Sequence, residues 1–238
     1  MFSLQLDNYA IKPALIVIDM QNGFVSEGGS YHQLGMDTSH YREIIPTTKK
    51  LIDLCRDLEI PIFYTEAIRE PSGIDLLTKT HKILPVAREE RLTKIPICVR
   101  GTWDAATIDE IKPTDKDHVV IKRRDSAFHD TELEVWLQSL GINTIILCGV
   151  DTSICVETSL REGFNEGYDV ILVSDATASG NKDHYKTTLQ RVKDYYGIVT
   201  TYEQLKNFSD ILQNNQGQIS KEKIDSIIKI HSLLDTWT

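Results

Sequence analysis

The sequence predicts an α/β fold of three layers, with a central, mostly parallel sheet covered by helices on both faces. Three observations carry this reading. Short apolar runs rich in Val and Ile recur along the chain, as strands buried on both faces require. Segments whose apolar residues have helical spacing separate them. Strands alternating with helices need crossover connections, which are right-handed and lay successive strands parallel.

The elements follow in order. Ala14-Leu-Ile-Val-Ile18 is the first central strand. Residues 47–58 form a helix, with Leu51, Ile52, Leu54, Cys55 and Leu58 on or near one face. Ile60-Pro-Ile-Phe-Tyr-Thr65 is a second strand, with Pro61 near its start, where proline is tolerated. Residues 66–113 are irregular and are expected to pass over the active-site edge. Val119-Val-Ile-Lys122 is a third strand, and residues 132–140 a helix ended by Gly141. Thr144-Ile-Ile-Leu-Cys-Gly149 is a fourth strand, followed by a helix over 152–166. Val170-Ile-Leu-Val-Ser174, a helix over 184–196 and Ile198-Val-Thr200 complete the sheet. After Asn214 the chain turns polar and then offers an amphipathic helix over 220–234. The expected division is one domain over 1–213 and a helical tail over 214–238 that packs on the domain or on a neighbouring subunit.

Composition narrows the function. The 238 residues are 41% hydrophobic and 26% charged, an ordinary globular balance. The net charge of −9 argues against nucleic acid or an anionic membrane as partner, since both need basic patches. The apolar run before Asp19 is too short for a signal peptide or a membrane span, which makes a cytoplasmic location the default expectation. The four cysteines, Cys55, Cys98, Cys148 and Cys155, form no CxxC pair and no zinc-like spacing with histidine. Each is therefore a core filler or a reactive thiol. Cys55 on a helix face and Cys148 inside a strand read as core, and Cys98 is open.

Ligands of such sheets bind at the carboxyl ends of the strands. Asp19 follows the first strand, Lys122 ends the third, and Cys155 opens the helix after the fourth. A thiol at a helix N-terminus near an ammonium is expected to have a lowered pKa. Asp19 is placed to take the thiol proton and return it to a leaving amine. The turn from Val150 to Cys155 offers backbone N–H groups for an oxyanion.

These residues carry a resemblance. Asp19-Met-Gln-Asn-x-Phe24, Lys122-x-Arg-x-Ser-Ala-Phe128, Gly149-Val-x-Thr-x-x-Cys155 and Ser174-Asp-Ala together resemble the isochorismatase-like cysteine hydrolase superfamily, over roughly residues 13–205. The resemblance implies a Rossmann-like fold and an Asp19–Lys122–Cys155 triad. It also implies a cis peptide before Asp151, whose N–H joins that of Cys155 in the oxyanion hole. Nicotinamidases of this superfamily bind a metal through Asp-x-His-x-x-x-His after the second strand. Here that segment is Tyr64-Thr-Glu-Ala-Ile-Arg-Glu70, which implies no metal and no other cofactor. Isochorismatases proper lack the cysteine. The run from Cys155 to Phe164 is most similar to the ureidoacrylate and biuret hydrolase branch. Asp125 and Asp151 depart from that branch, and a carboxylate at the pocket mouth is expected to reject anionic substrates or to orient cationic or amide ones.

The leading expectation is thus an amidohydrolase that cleaves a C–N bond of a small ureido, carbamoyl or carboxamide substrate through a thioester. Asn22, Phe24, Trp103 and Phe128 are candidate pocket residues, and Arg69, Arg100 and Arg124 candidates for a substrate carboxylate. The alternatives are a nicotinamidase-type enzyme without the metal and a non-catalytic binding protein of the same fold. Slow labelling of Cys155 by iodoacetamide at neutral pH is expected to favour the latter. The resemblance further implies a homodimer or homotetramer.

Overall fold

The computed structural model describes residues 4–6 and 9–214, with side chains over 11–209. A short antiparallel hairpin, β1 (Leu4–Leu6) and β2 (Tyr9–Ile11), precedes the main sheet. That sheet contains β3 (Pro13–Ile18), β4 (Ile62–Ala67), β5 (His118–Lys122), β6 (Thr144–Val150), β7 (Asp169–Ala178) and β8 (Ile198–Thr200). Its order is β5-β4-β3-β6-β7-β8 and every pairing is parallel. The chain therefore winds outward from β3 in one direction, returns, and winds outward from β6 in the other. The strand order reverses between β3 and β6, which opens a crevice at their carboxyl ends.

Every residue of β3 and β6 is buried, because helices cover both faces. The strand period of two divides β3 between two cores. Leu15 and Val17 pack on one face with Leu51, Ile52 and Cys55. Ala14, Ile16 and Ile18 pack on the other with Leu133, Leu137 and Leu160. The helix Ile45–Asp57 buries Thr48, Leu51, Ile52 and Cys55, a spacing of three and four that makes one stripe.

The predicted elements are present, with shifted ends. The second central strand begins at Ile62 rather than Ile60. Pro61 has no N–H for a ladder, although its carbonyl accepts from Leu15 N–H at 2.9 Å. The helix expected over 152–166 is divided into a π-type turn, Thr152–Val156, and a helix, Glu157–Asn165. Strand β7 is twice the expected length, with a register irregularity opposite Leu147 and Gly149. The helix Tyr202–Asn214 had no counterpart in the sequence reading. The helix expected over 220–234 lies outside the described residues.

Between residues 69 and 99 the irregular stretch after β4 holds two short helices, Leu77–Thr80 and Val86–Lys94, and the second has no buried residue. Its base is closed by a bridge between Arg69 and Val99, with Arg69 N–H donating to Cys98 O at 2.9 Å and Arg100 N–H to Arg69 O at 2.8 Å.

Candidate active site

Three strand ends meet in one cavity. Asp19 directly follows β3 in a left-handed backbone conformation, φ 49°. Its two carboxyl oxygens have different partners. Oδ1 accepts the Thr65 hydroxyl at 2.6 Å, and Asp19 N–H donates to the same hydroxyl oxygen at 3.1 Å. Oδ2 faces Lys122 Nζ at 2.8 Å, and both side chains are 1% exposed. Lys122 Nζ also donates to the carbonyls of Arg124 and Asp125, at 3.0 and 2.9 Å. The ammonium is thus hydrogen-bonded to two carbonyls and paired with one carboxylate.

Cys155 lies within the turn after β6. The Val150–Asp151 peptide bond is cis. Gly149 precedes it at φ 106°, and a Cβ there would collide with the Ile18 carbonyl oxygen. Only glycine lets β6 approach β3 this closely at the crevice. The Asp151 side chain accepts Ser153 N–H (2.8 Å), the Ser153 hydroxyl (2.8 Å), the Tyr41 hydroxyl (2.7 Å) and Gly180 N–H (2.8 Å). Its carbonyl accepts N–H groups on either side of Cys155, from Ile154 and Val156, both at 3.1 Å. Asp151 is thus the anchor of the turn. Ser159 links the turn to the segment after β5: its hydroxyl donates to Cys155 O at 2.6 Å and accepts Ala127 N–H at 2.8 Å.

The electrostatics correct one expectation. The Cys155 thiol is pushed up from its ordinary pKa, not down. Burial is the main cause; Lys122 opposes it, and Asp19 and Asp125 add to it. Burial thus favours the protonated thiol beside the Asp19–Lys122 ion pair. For Lys122, burial works against the charge, but Asp19, Cys155 and Asp125 outweigh it and hold the pKa above the usual lysine value. Cys55 is raised to about 12 by burial alone. Cys148 is also raised by burial, and both sit in the core as expected. Cys98 is buried, with its N–H donating to Asp104 Oδ2 at 2.7 Å, yet it also lines the cavity.

The cavity, about 140 Å³, is lined by Asp19, Lys122, Cys155, Asp151 and Phe24. Three other predicted pocket residues are elsewhere. Asn22 Nδ2 donates to the carbonyls of Trp103 and Ala106, at 3.0 and 3.2 Å, and so fastens two loops together. Trp103 does not line the cavity, and its side chain is 55% exposed. Phe128 is a core residue whose ring lies 5.9 Å from that of Tyr168. Among the arginines, Arg69 and Arg124 line the cavity, whereas Arg100 is paired with Glu70 at 2.8 Å. Asp125 is not a free carboxylate at the mouth, because Arg88 Nη2 reaches both its oxygens at 2.6 and 2.7 Å.

Tyr31, Tyr41, Arg88, Arg91 and Leu92 also line the cavity and escaped the sequence reading, as did Thr65 behind Asp19. The Arg88-x-x-Arg91 spacing was the available signal, since residues three apart share a helix face. Arg69, Arg91 and Arg124 have no carboxylate partner among the described residues.

Comparison with known proteins identifies the family to which the chain belongs. The ureidoacrylate amidohydrolase RutB of Yersinia enterocolitica is 32% identical over 201 residues, which is 82% of this chain and 87% of the relative. A cysteine hydrolase from Pseudomonas syringae pv. phaseolicola superimposes with a TM-score of 0.71 at 27% identity, covering 82% of this chain and 90% of that one. N-carbamoylsarcosine amidase from Thermoplasma acidophilum superimposes with a TM-score of 0.64 at 27% identity, covering 81% and 97%. Residues 13–204 match the isochorismatase domain, and the chain belongs to that family.

Proposed function

We propose that this member of the isochorismatase family is a cysteine-dependent amidohydrolase that cleaves a C–N bond in a small ureido, carbamoyl or carboxamide substrate. The observation that carries the reading is the meeting of Asp19, Lys122 and the Cys155 thiol in one small cavity. The relatives named as a ureidoacrylate amidohydrolase and an N-carbamoylsarcosine amidase support the class of bond.

The neutral thiol defines the first step. As Sγ attacks the carbonyl carbon, its proton passes to Asp19, whose carboxyl lines the same cavity. The C–S bond forms and the carbonyl oxygen becomes an oxyanion, held by the backbone N–H groups of Asp151 and Cys155. The C–N bond then breaks, Asp19 returns the proton to the departing nitrogen, and a thioester remains. Water gives a proton to Asp19 and attacks the thioester. The C–S bond breaks, the thiol recovers that proton, and an acid or a carbamate leaves; a carbamate then loses CO₂. Lys122 keeps its charge throughout, stabilises the developing thiolate and fixes Asp19.

An ammonia-release screen over ureides, biuret, carbamoyl amino acids and carboxamides identifies the substrate. Cys155→Ala is expected to lower kcat by at least about 10⁴-fold with unchanged circular dichroism. Turnover that survives this substitution rejects the mechanism.

A further inference from the structure

We infer that the apolar groove beside the catalytic cavity is a substrate subsite, which takes an apolar substituent carried next to a carboxylate. The inference rests on the reading of the cavity as a hydrolytic site and goes on to specify what the substrate bears beyond its scissile bond.

The groove measures about 350 Å³ and is lined by one stretch of chain, residues 69–99. Half-buried Leu76, Leu92, Ile95, Ile97 and Val99 contribute apolar surface to it. Leu92, Ile97 and Arg69 line both this groove and the catalytic cavity, so the two spaces adjoin. Arg69 stands at the junction. Its Nη1 donates to the carbonyls of Arg123 and Ile68, at 3.1 and 3.3 Å, which fixes the guanidinium. No carboxylate among the described residues meets it. A fixed guanidinium without a counter-ion, between an apolar space and a nucleophile, suits a carboxylate with an apolar group on one side and a scissile amide on the other. The size is that of a small-molecule site. A peptide strand or helix needs a longer surface.

Ligand-observed NMR titration of the Cys155→Ala protein tests the groove without chemistry. The probes are 3-phenylpropanoate and acetate, which differ in the apolar group. Expected is tighter binding of 3-phenylpropanoate by at least about tenfold. Leu76→Trp, which fills the groove, removes this advantage and leaves acetate binding unchanged. Val99→Phe on the other wall repeats the result if Leu76→Trp does not fold. In the active protein, kcat/KM for N-carbamoylphenylalanine exceeds that for N-carbamoylglycine by about tenfold or more, and Leu76→Trp levels the two. Equal binding of the two carboxylates, or an advantage that persists in both filled variants, overturns the subsite. So does a change of oligomeric state in Leu76→Trp with ligand binding intact, which would mark the groove as a contact between copies. If the carboxylates behave as expected but no ureide or amide is hydrolysed, the subsite stands and the proposed function fails. If ureides are hydrolysed without regard to side chain, the function stands and the subsite falls.

Discussion

Thr65 has no reactive chemistry, yet its hydroxyl determines how Asp19 presents its carboxyl. It donates to Oδ1 while Lys122 takes Oδ2, so rotation of the carboxyl is blocked from both sides. Thr65→Val is expected to lower kcat by about 10- to 100-fold with little change in KM, and to destabilise the fold by about 2 kcal/mol, because a buried oxygen loses its donor. Thr65→Ser should restore both, as measured by steady-state kinetics and urea denaturation. The raised pKa of Cys155 leads to a second expectation. Only the thiolate alkylates, so the iodoacetamide rate should be slow at pH 7 and climb about tenfold per pH unit through pH 9. Lys122→Gln should slow it further, since Lys122 lowers that pKa. A plateau below pH 8 would contradict a neutral thiol. Slow labelling at neutral pH consequently does not mark a non-catalytic protein. The placing of Asp19, Lys122 and Cys155 at one cavity was legible because each ends or follows a strand in a distinctive motif. Asn22, Trp103 and Phe128 were misplaced because proximity in sequence to a motif says nothing about which way a side chain points. Thr65 was missed because its partner is 46 residues away.

The element that carries Cys155 is held from behind by Glu157. Its buried carboxylate accepts Arg161, Arg191 and Thr188, tying the helix Glu157–Asn165 to the helix Lys182–Tyr195. Burial pushes its pKa up, but the bonds from Arg191, Thr188 and Arg161 prevail and hold it at about 2. A carboxylate depressed in the folded state adds stability above its unfolded pKa of about 4.3, and that stability is lost as pH falls toward the folded value. Glu157→Gln is therefore expected to flatten the loss of stability between about pH 5 and pH 2, and to cost about 2 kcal/mol at pH 7, read from urea denaturation across pH. The helix Val86–Lys94 is anchored in another way. It buries no residue, and Arg88 joins it to Asp125 through a partly exposed ion pair. Such pairs contribute up to about 1 kcal/mol, so Asp125→Asn should speed hydrogen exchange in this helix by up to about fivefold and leave β3 and β6 unchanged. The long helices and central strands were legible from periodicity. The division after Asp151 was not, because the cap that Asp151 makes depends on Tyr41 and Gly180, both distant in the chain.

Across the whole molecule, function depends on the close approach of β3 and β6. Gly149→Ala would force a left-handed backbone and a collision with the Ile18 carbonyl into the same place. The expected result is a loss of more than about 3 kcal/mol in urea denaturation, with activity lost in proportion to unfolded protein. The parallel order was legible because βαβ rhythm and handedness leave few topologies. The shape of the excursion over the site was not, since residues 66–113 have no sustained period and are fixed by tertiary bonds. That excursion has a consequence for how such a molecule diversifies. Its two ends are stitched together at Arg69 and Val99, so the stretch between them forms a closed loop on a sheet that brings Cys155 to the cavity from elsewhere. Beyond that bridge it is held mainly by polar side-chain bonds, among them Arg88 to Asp125 and Arg123 to Asp75, so it can be exchanged, lengthened or shortened with little strain on the strands beneath if those partners travel with it. Selectivity can then drift while the bond-breaking apparatus stays the same, and loop transplants between family members are a practical route to new selectivities.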